Sequence, residues 1–164
     1  MNTLWAYFWP CIAVGLVSGG IGGLFGLRRK RRLPFVVAAL LAVLGTAAWH
    51  GPMGGADRFR ATAEREAREA LDHYELFKIR AHLHRAPLTR RLVLVGEVDD
   101  WQRSELVRLF SQVPGVSSAT WSESDPGLPL ILEAMIGAII GFLGGLFIAY
   151  LLELRRRYNA QWTW

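Results

Sequence analysis

Charge is missing from three stretches of this chain. Leu4 to Leu27 and Leu33 to Trp49 carry none, and Leu130 to Leu152 carries only Glu133, close to its start. A helix crossing about 30 Å of hydrocarbon needs about 20 mostly apolar residues, so each stretch predicts a membrane span. Pro34 falls in the first turn of the second stretch, where a missing N–H is tolerated. The small polar region between the second and third stretches could not bury three such segments as core helices.

That middle region reads as a folded soluble domain. Gly51 to Gly55 suggests a short flexible linker. From Phe59 to Tyr74 apolar residues recur at Phe59, Ala63, Ala67, Ala70, Leu71 and Tyr74, with Glu64, Arg68 and Asp72 elsewhere, which predicts an amphipathic helix. From Phe77 the period becomes two. Phe77, Ile79, Ala81 and Leu83 alternate with Lys78, Arg80, His82 and His84, as in a strand wet on one face. Ala86 to Thr89 predicts a turn, and Leu92 to Val95 a more buried strand ending at Gly96. Asp99 and Asp100 are N-cap candidates for a helix lined by Leu106, Leu109, Phe110 and Val113. Pro114 and Gly115 end it, and Val116 to Trp121 predicts a last short strand.

The expected fold is therefore an α+β membrane protein with three transmembrane helices and a small αββαβ extracytoplasmic domain. Residues 1–50 hold two spans, at about 4–27 and 33–49, joined by a basic loop at 28–32. The domain occupies 56–122, the third span 128–154, and a cytoplasmic tail 155–164.

Composition sharpens this picture. Apolar residues make up 52% of the chain and the net charge is +5. The excess charge sits in two clusters, Arg28, Arg29, Lys30, Arg31 and Arg32 after the first span, and Arg155, Arg156 and Arg157 after the third. Between Asp57 and Asp125 there are 11 basic and 12 acidic residues, so the soluble region is nearly neutral. A nucleic-acid face would gather Lys and Arg on the folded domain, and none is expected. Basic residues at span ends stay cytoplasmic. Both clusters lie inside only if the N-terminus and the middle domain are outside and the C-terminus is inside, which predicts a multi-pass protein of a bacterial inner membrane. RRKRR followed by LPFVVAALLAVLGTAA has the form of a signal peptide, but cleavage there would discard a complete preceding span. Trp5, Trp9, Trp49, Tyr158, Trp162 and Trp164 fall at predicted boundaries, where indole and phenol rings prefer the headgroup zone. The last of these suggest a tail lying back along the cytoplasmic surface. The basic clusters set topology, with anionic lipid headgroups as a further partner.

Spans one and three carry glycines at intervals of four: Gly15, Gly19 and Gly23, then Gly137, Gly141 and Gly145. Such spacing lies along one helix face and admits close backbone approach. Whether the two faces meet within one chain or between copies is open from the sequence, and self-association is the leading expectation. Glu153 is spaced to pair with Arg157.

The run LVLVGEV, followed one helix later by VPGV and a short strand, resembles the BON domain of bacterial envelope proteins. Gly96, Gly115 and Val116 fill the positions that carry the likeness, which extends over roughly Phe59 to Trp121. Other small ferredoxin-like or POTRA-like domains share the skeleton. The resemblance implies a docking module for envelope lipid or larger assemblies, with no catalytic residues. The segment SDPGLPLILEAMIGAIIGFLGGLFIAYLLELRRR resembles the final span of polysaccharide chain-length regulators, which have one span before a much larger outer domain; this chain has two spans and a small one.

Catalytic chemistry is hard to find. No G-x-S-x-G, HExxH or phosphate-loop pattern occurs. His82 and His84 share a strand face near His73, but without a Cys or carboxylate partner they read as a solvated face rather than a zinc site. The lone Cys11 reads as a small hydrophobe. No catalytic, cofactor or metal residues are expected. The functional expectation is a non-enzymatic structural or accessory subunit, a homo-oligomer or part of a larger membrane complex. The alternatives are an accessory factor for polysaccharide export or chain-length control, and a small channel-forming oligomer.

Overall fold

A computed structural model describes residues 3–29, 31–124 and 127–161. The element order is α1 (Thr3–Arg29), α2 (Leu33–His50), α3 (Gly55–His73), β1 (Arg80–Arg85), β2 (Leu88–Val95), α4 (Asp100–Phe110), β3 (Ser118–Thr120) and α5 (Leu130–Ala160). Among the described residues, α1, α2 and α5 are long and apolar enough to cross a membrane. The chain divides into two compact units. One runs from the chain start to Tyr7 and from Gly54 to Glu133; the other comprises Phe8–Met53 and Ala134–Trp164.

In the helical unit α1 is the common partner. Along α5, Gly141 lies against the backbone of Ile12 and Leu16, and Gly145 against Leu16 and Gly20. Along α1, Gly15 lies against Ala138 and Phe142, and Gly19 against Phe142. The contacts advance in the same sense on both helices, so the pair is parallel. On its α2 side, Gly22 meets Ala38, Gly26 meets the Phe35 ring, and Val14 fills the space beside Gly45. The buried positions of α2, namely Ala38, Ala42 and Thr46, recur every fourth residue, and Thr46 Oγ1 donates back to the Ala42 carbonyl at 2.9 Å. The opposite faces carry exposed Leu40, Leu44, Ile140 and Leu143.

The globular unit is built around a three-stranded sheet in the order β1-β2-β3. β1 and β2 are antiparallel, with Ala81 opposite Leu94 and Leu83 opposite Leu92, and β2 and β3 are parallel. Leu92, Val93 and Leu94 are all buried; because neighbouring side chains of a strand point to opposite faces, both faces of β2 are covered. α3 buries Phe59, Ala63, Ala67 and Leu71, one stripe at intervals of four in which the small residues let the helix lie close. Phe110 is fully buried from α4.

Several boundaries differ from the sequence reading. Phe77 and Lys78 precede β1, and Phe77 is 77% exposed rather than on the strand's buried face. The end of α3 explains this. The Leu76 N–H bonds the Leu71 carbonyl at 2.9 Å, and the Ile79 N–H bonds that of Leu76 at 3.1 Å, so the chain is still turning at 77. β2 begins at Leu88, because Leu88 already pairs with Arg85. The expected linker at 51–55 is a tight turn: the Met53 N–H bonds the Ala48 carbonyl, Gly54 has φ +73° and Gly55 opens α3. Asp99 is the N-cap of α4, yet its side chain makes no capping bond. α5 continues through Arg155, Arg156, Arg157 and Tyr158 to Ala160, so the basic cluster lies on the helix and not in a separate tail.

Candidate functional site

The glycines singled out in the sequence come together within one chain. A side-chain carbon on Gly15, Gly19, Gly141 or Gly145 would strike the partner helix's backbone, and on Gly23 it would stand 2.6 Å from the Ala149 methyl. Gly137 is looser, with Ile12 Cγ1 at 3.5 Å. Gly144, the neighbour of Gly145, has nothing within 4 Å. Cys11 is completely buried and, as the single cysteine of the sequence, forms no disulfide within the chain.

Charge gathers at the ends of these helices. Glu153 is buried on α5 and accepts from Arg156 at 3.0 and 3.1 Å and from Arg157 at 3.1 Å, with Arg28 of α1 at 3.9 Å. One carboxylate therefore ties together members of both basic clusters, which sequence spacing indicated only for Arg157. Arg29, Arg31, Arg32 and Arg155 are exposed. Trp5 and Trp9 are 55% and 59% exposed and Trp49 is half-buried. Lys30, Trp162 and Trp164 lie outside the described residues.

In the globular unit the structure shows residues that sequence reasoning did not single out. Arg90, on β2, donates to the Gly115 carbonyl at 2.9 Å and to Glu133 at 2.9 Å. It fastens the turn before β3 and the start of α5 to the central strand. Gly115 adopts φ +91°, and a side chain there would press on the Phe59 ring at 3.3 Å. Thr3 donates to Glu66 at 2.6 Å, and the Tyr7 ring sits 5.4 Å from that of Phe59. Nothing local in the sequence around Thr3 and Tyr7 signals a distant carboxylate and ring.

A groove of about 800 Å³ runs between α3 and β1. Its lining includes Glu64 and Arg68 from the helix, Arg80, His82 and Arg85 from the strand, and Glu123. Glu64 Oε1 accepts the Leu83 backbone N–H at 3.2 Å, and Glu123 lies 3.4 Å from His82 Nε2. His84 Nδ1 is 3.0 Å from the Pro87 carbonyl, so the two histidines face different partners. Among the described residues no group of three metal-ligating side chains converges. The groove is lined by Arg68, Arg80 and Arg85, by the carboxylates of Glu64, Asp72 and Glu123, and by apolar Leu71 and Ile79, a mixed polar and apolar lining suited to a binding surface.

The chain matches no known protein family, no characterised protein and no solved structure.

Proposed function

We propose that this chain is a non-enzymatic accessory subunit of a bacterial inner membrane, anchored by α1, α2 and α5, whose globular unit docks a partner on the non-cytoplasmic side. The observation that carries this reading is the contrast between the two units. In the helical unit the small-residue faces are spent on each other, and the ionisable groups lie toward helix ends; carriers and relays place such groups along the spans. In the globular unit a groove beside the outer strand β1 stands open. A bundle closed within one chain also weighs against lining a pore with the glycine faces of neighbouring copies. The Arg28–Glu153–Arg156–Arg157 cluster supports the inside placement of that end, since basic residues are retained on the cytoplasmic face. The resemblance to BON domains read from the sequence of residues 59–121 implies the same, docking rather than catalysis.

The test is extraction of the tagged full chain in mild detergent at native expression, followed by native mass measurement and identification of co-purifying proteins. The expected result is a defined hetero-complex that a chain deleted for 56–122 fails to form while still inserting. A homo-oligomer that conducts ions, or a chain purified alone under every condition, overturns the docking reading.

A further inference from the structure

Among the described residues β1 is an edge strand, paired with β2 on one side only. Its other side faces the groove beneath α3, and the direction of its backbone is fixed by one bond. The Leu83 N–H leaves the sheet to reach Glu64. In an antiparallel ladder, residues whose N–H and C=O point away from the partner alternate with those that bond it. Ala81, two residues before Leu83 in unbroken register, therefore presents its N–H and C=O on the same free side. Two residues with outward donors and acceptors, flanked by a helix, form the template on which an extended peptide adds as another strand.

The side chains state what that peptide carries. Leu83 is fully buried, so the face of β1 holding Ala81 and Leu83 is turned inward, while Arg80, His82 and His84 occupy the wetter face. An added strand would place every second side chain beside these basic groups and the intervening ones toward Leu71 and Ile79. Two carboxylates of the chain already hold equivalent places, Glu64 on the strand's amide and Glu123 on His82. A second copy is a poor occupant, because antiparallel β1 against β1 would bring Arg80 of one copy near Arg85 of the other, and like charges across strands repel.

We infer that the β1 edge binds an extended segment of a partner protein in which acidic and apolar residues alternate, by strand addition alongside Ala81 and Leu83. This deepens the docking function proposed above and rests on it. Glu64 acts as a placeholder: it caps the edge in the free protein and must yield its amide when the strand arrives.

The probe is a fluorescein-labelled capped hexapeptide of alternating Glu and Val, titrated by anisotropy onto the full chain in detergent micelles. Alternating Lys and Val, and the Glu-Val peptide N-methylated at alternate residues, serve as comparisons. The Glu-Val peptide is expected to bind, and both comparisons to bind at least tenfold more weakly. A81P removes an outward N–H at an edge position where proline is tolerated, and should weaken binding at least tenfold with the fold intact by circular dichroism. E64A frees the Leu83 amide and should tighten binding about threefold, an effect opposite in sign to simple loss of structure. Binding that ignores N-methylation, or fails to respond to E64A, overturns the inference. Co-purification separates the two levels of the argument. A native partner that survives A81P but is lost with 56–122 places docking elsewhere on the domain and ends the strand-addition reading alone. Absence of any partner in the wild type ends both.

Discussion

Replacing Gly141 by alanine, with Gly144 replaced in parallel, tests the closeness of the α1–α5 seam. A methyl on Gly141 would collide with the Ile12 carbonyl, whereas one on Gly144 meets nothing within 4 Å. Carbon and carbonyl oxygen settle near 3.3–3.6 Å, so the first substitution forces the helices apart by about 1 Å. A gap of that size forfeits between a quarter and a half of each dispersion contact of about 0.1–0.2 kcal/mol. Over roughly 40 atom pairs, the number a single well-buried side chain makes, the loss is about 1–4 kcal/mol, which spans the usual range of about 1–3 kcal/mol for overpacking. Alanine also favours a helix over glycine by up to about 1 kcal/mol, which applies to both variants. Gly144→Ala should therefore be neutral or slightly stabilising, and Gly141→Ala destabilising by about 1–3 kcal/mol less that gain. Reversible unfolding of the purified full chain by SDS titration, followed by helical circular dichroism, reads the difference directly. Equal effects at the two positions would refute the seam, because only one of them touches the partner helix.

Three further outcomes follow from the geometry. Arg90→Met removes bonds to both Gly115 and Glu133 and leaves a carboxylate that is 19% exposed without its partner; about 2 kcal/mol of the globular unit's stability should be lost. Thermal unfolding reads that loss, and the double variant with Glu133→Met should recover part of it. Thr3→Val strips the hydroxyl from Glu66 and should cost about 1–2 kcal/mol, seen as faster amide exchange along α3; unchanged exchange would detach the first turn of α1 from the globular unit. In a Cys11→Ser background, a cysteine at Glu75 should react with an impermeant maleimide on intact spheroplasts, and one at Asn159 only after permeabilisation. The reverse pattern would invert the proposed orientation.

Much of the fold was legible because period is a local property. The second and third apolar stretches open at Leu33 and Leu130, where α2 and α5 begin, and the change of period near residue 77 marks the passage from α3 to β1 within a few residues. The glycine spacing identified which faces pack, though not with what. Information carried by distant partners was hidden. Arg90 stands between the expected turn at 86–89 and the strand expected from Leu92, and only the fold brings Gly115 and Glu133 to it. Tyr7 lies inside the apolar run from Leu4, and nothing local distinguishes a tyrosine at the start of such a run from one resting on Phe59. Phe77 was misplaced because an alternating pattern continues into a turn as readily as into a strand. The groove beside β1 depends on which strand lies at the edge, and strand order is not written in periodicity.

Both units combine segments that are distant in sequence. The seam of the helical unit joins α1 to α5, and the globular unit adds the residues up to Tyr7 to the segment Gly54–Glu133. During synthesis α1 is made before α5, and its glycine face stays without that partner until the whole intervening segment has been made. A chain stopped before α5 thus leaves the seam open. The exposed strip on α1 is then a ready target for proteases and for mispairing with any small-faced helix nearby. The arrangement makes a chain that carries α5 physically different from one that lacks it, so that quality control can tell them apart by a single open seam.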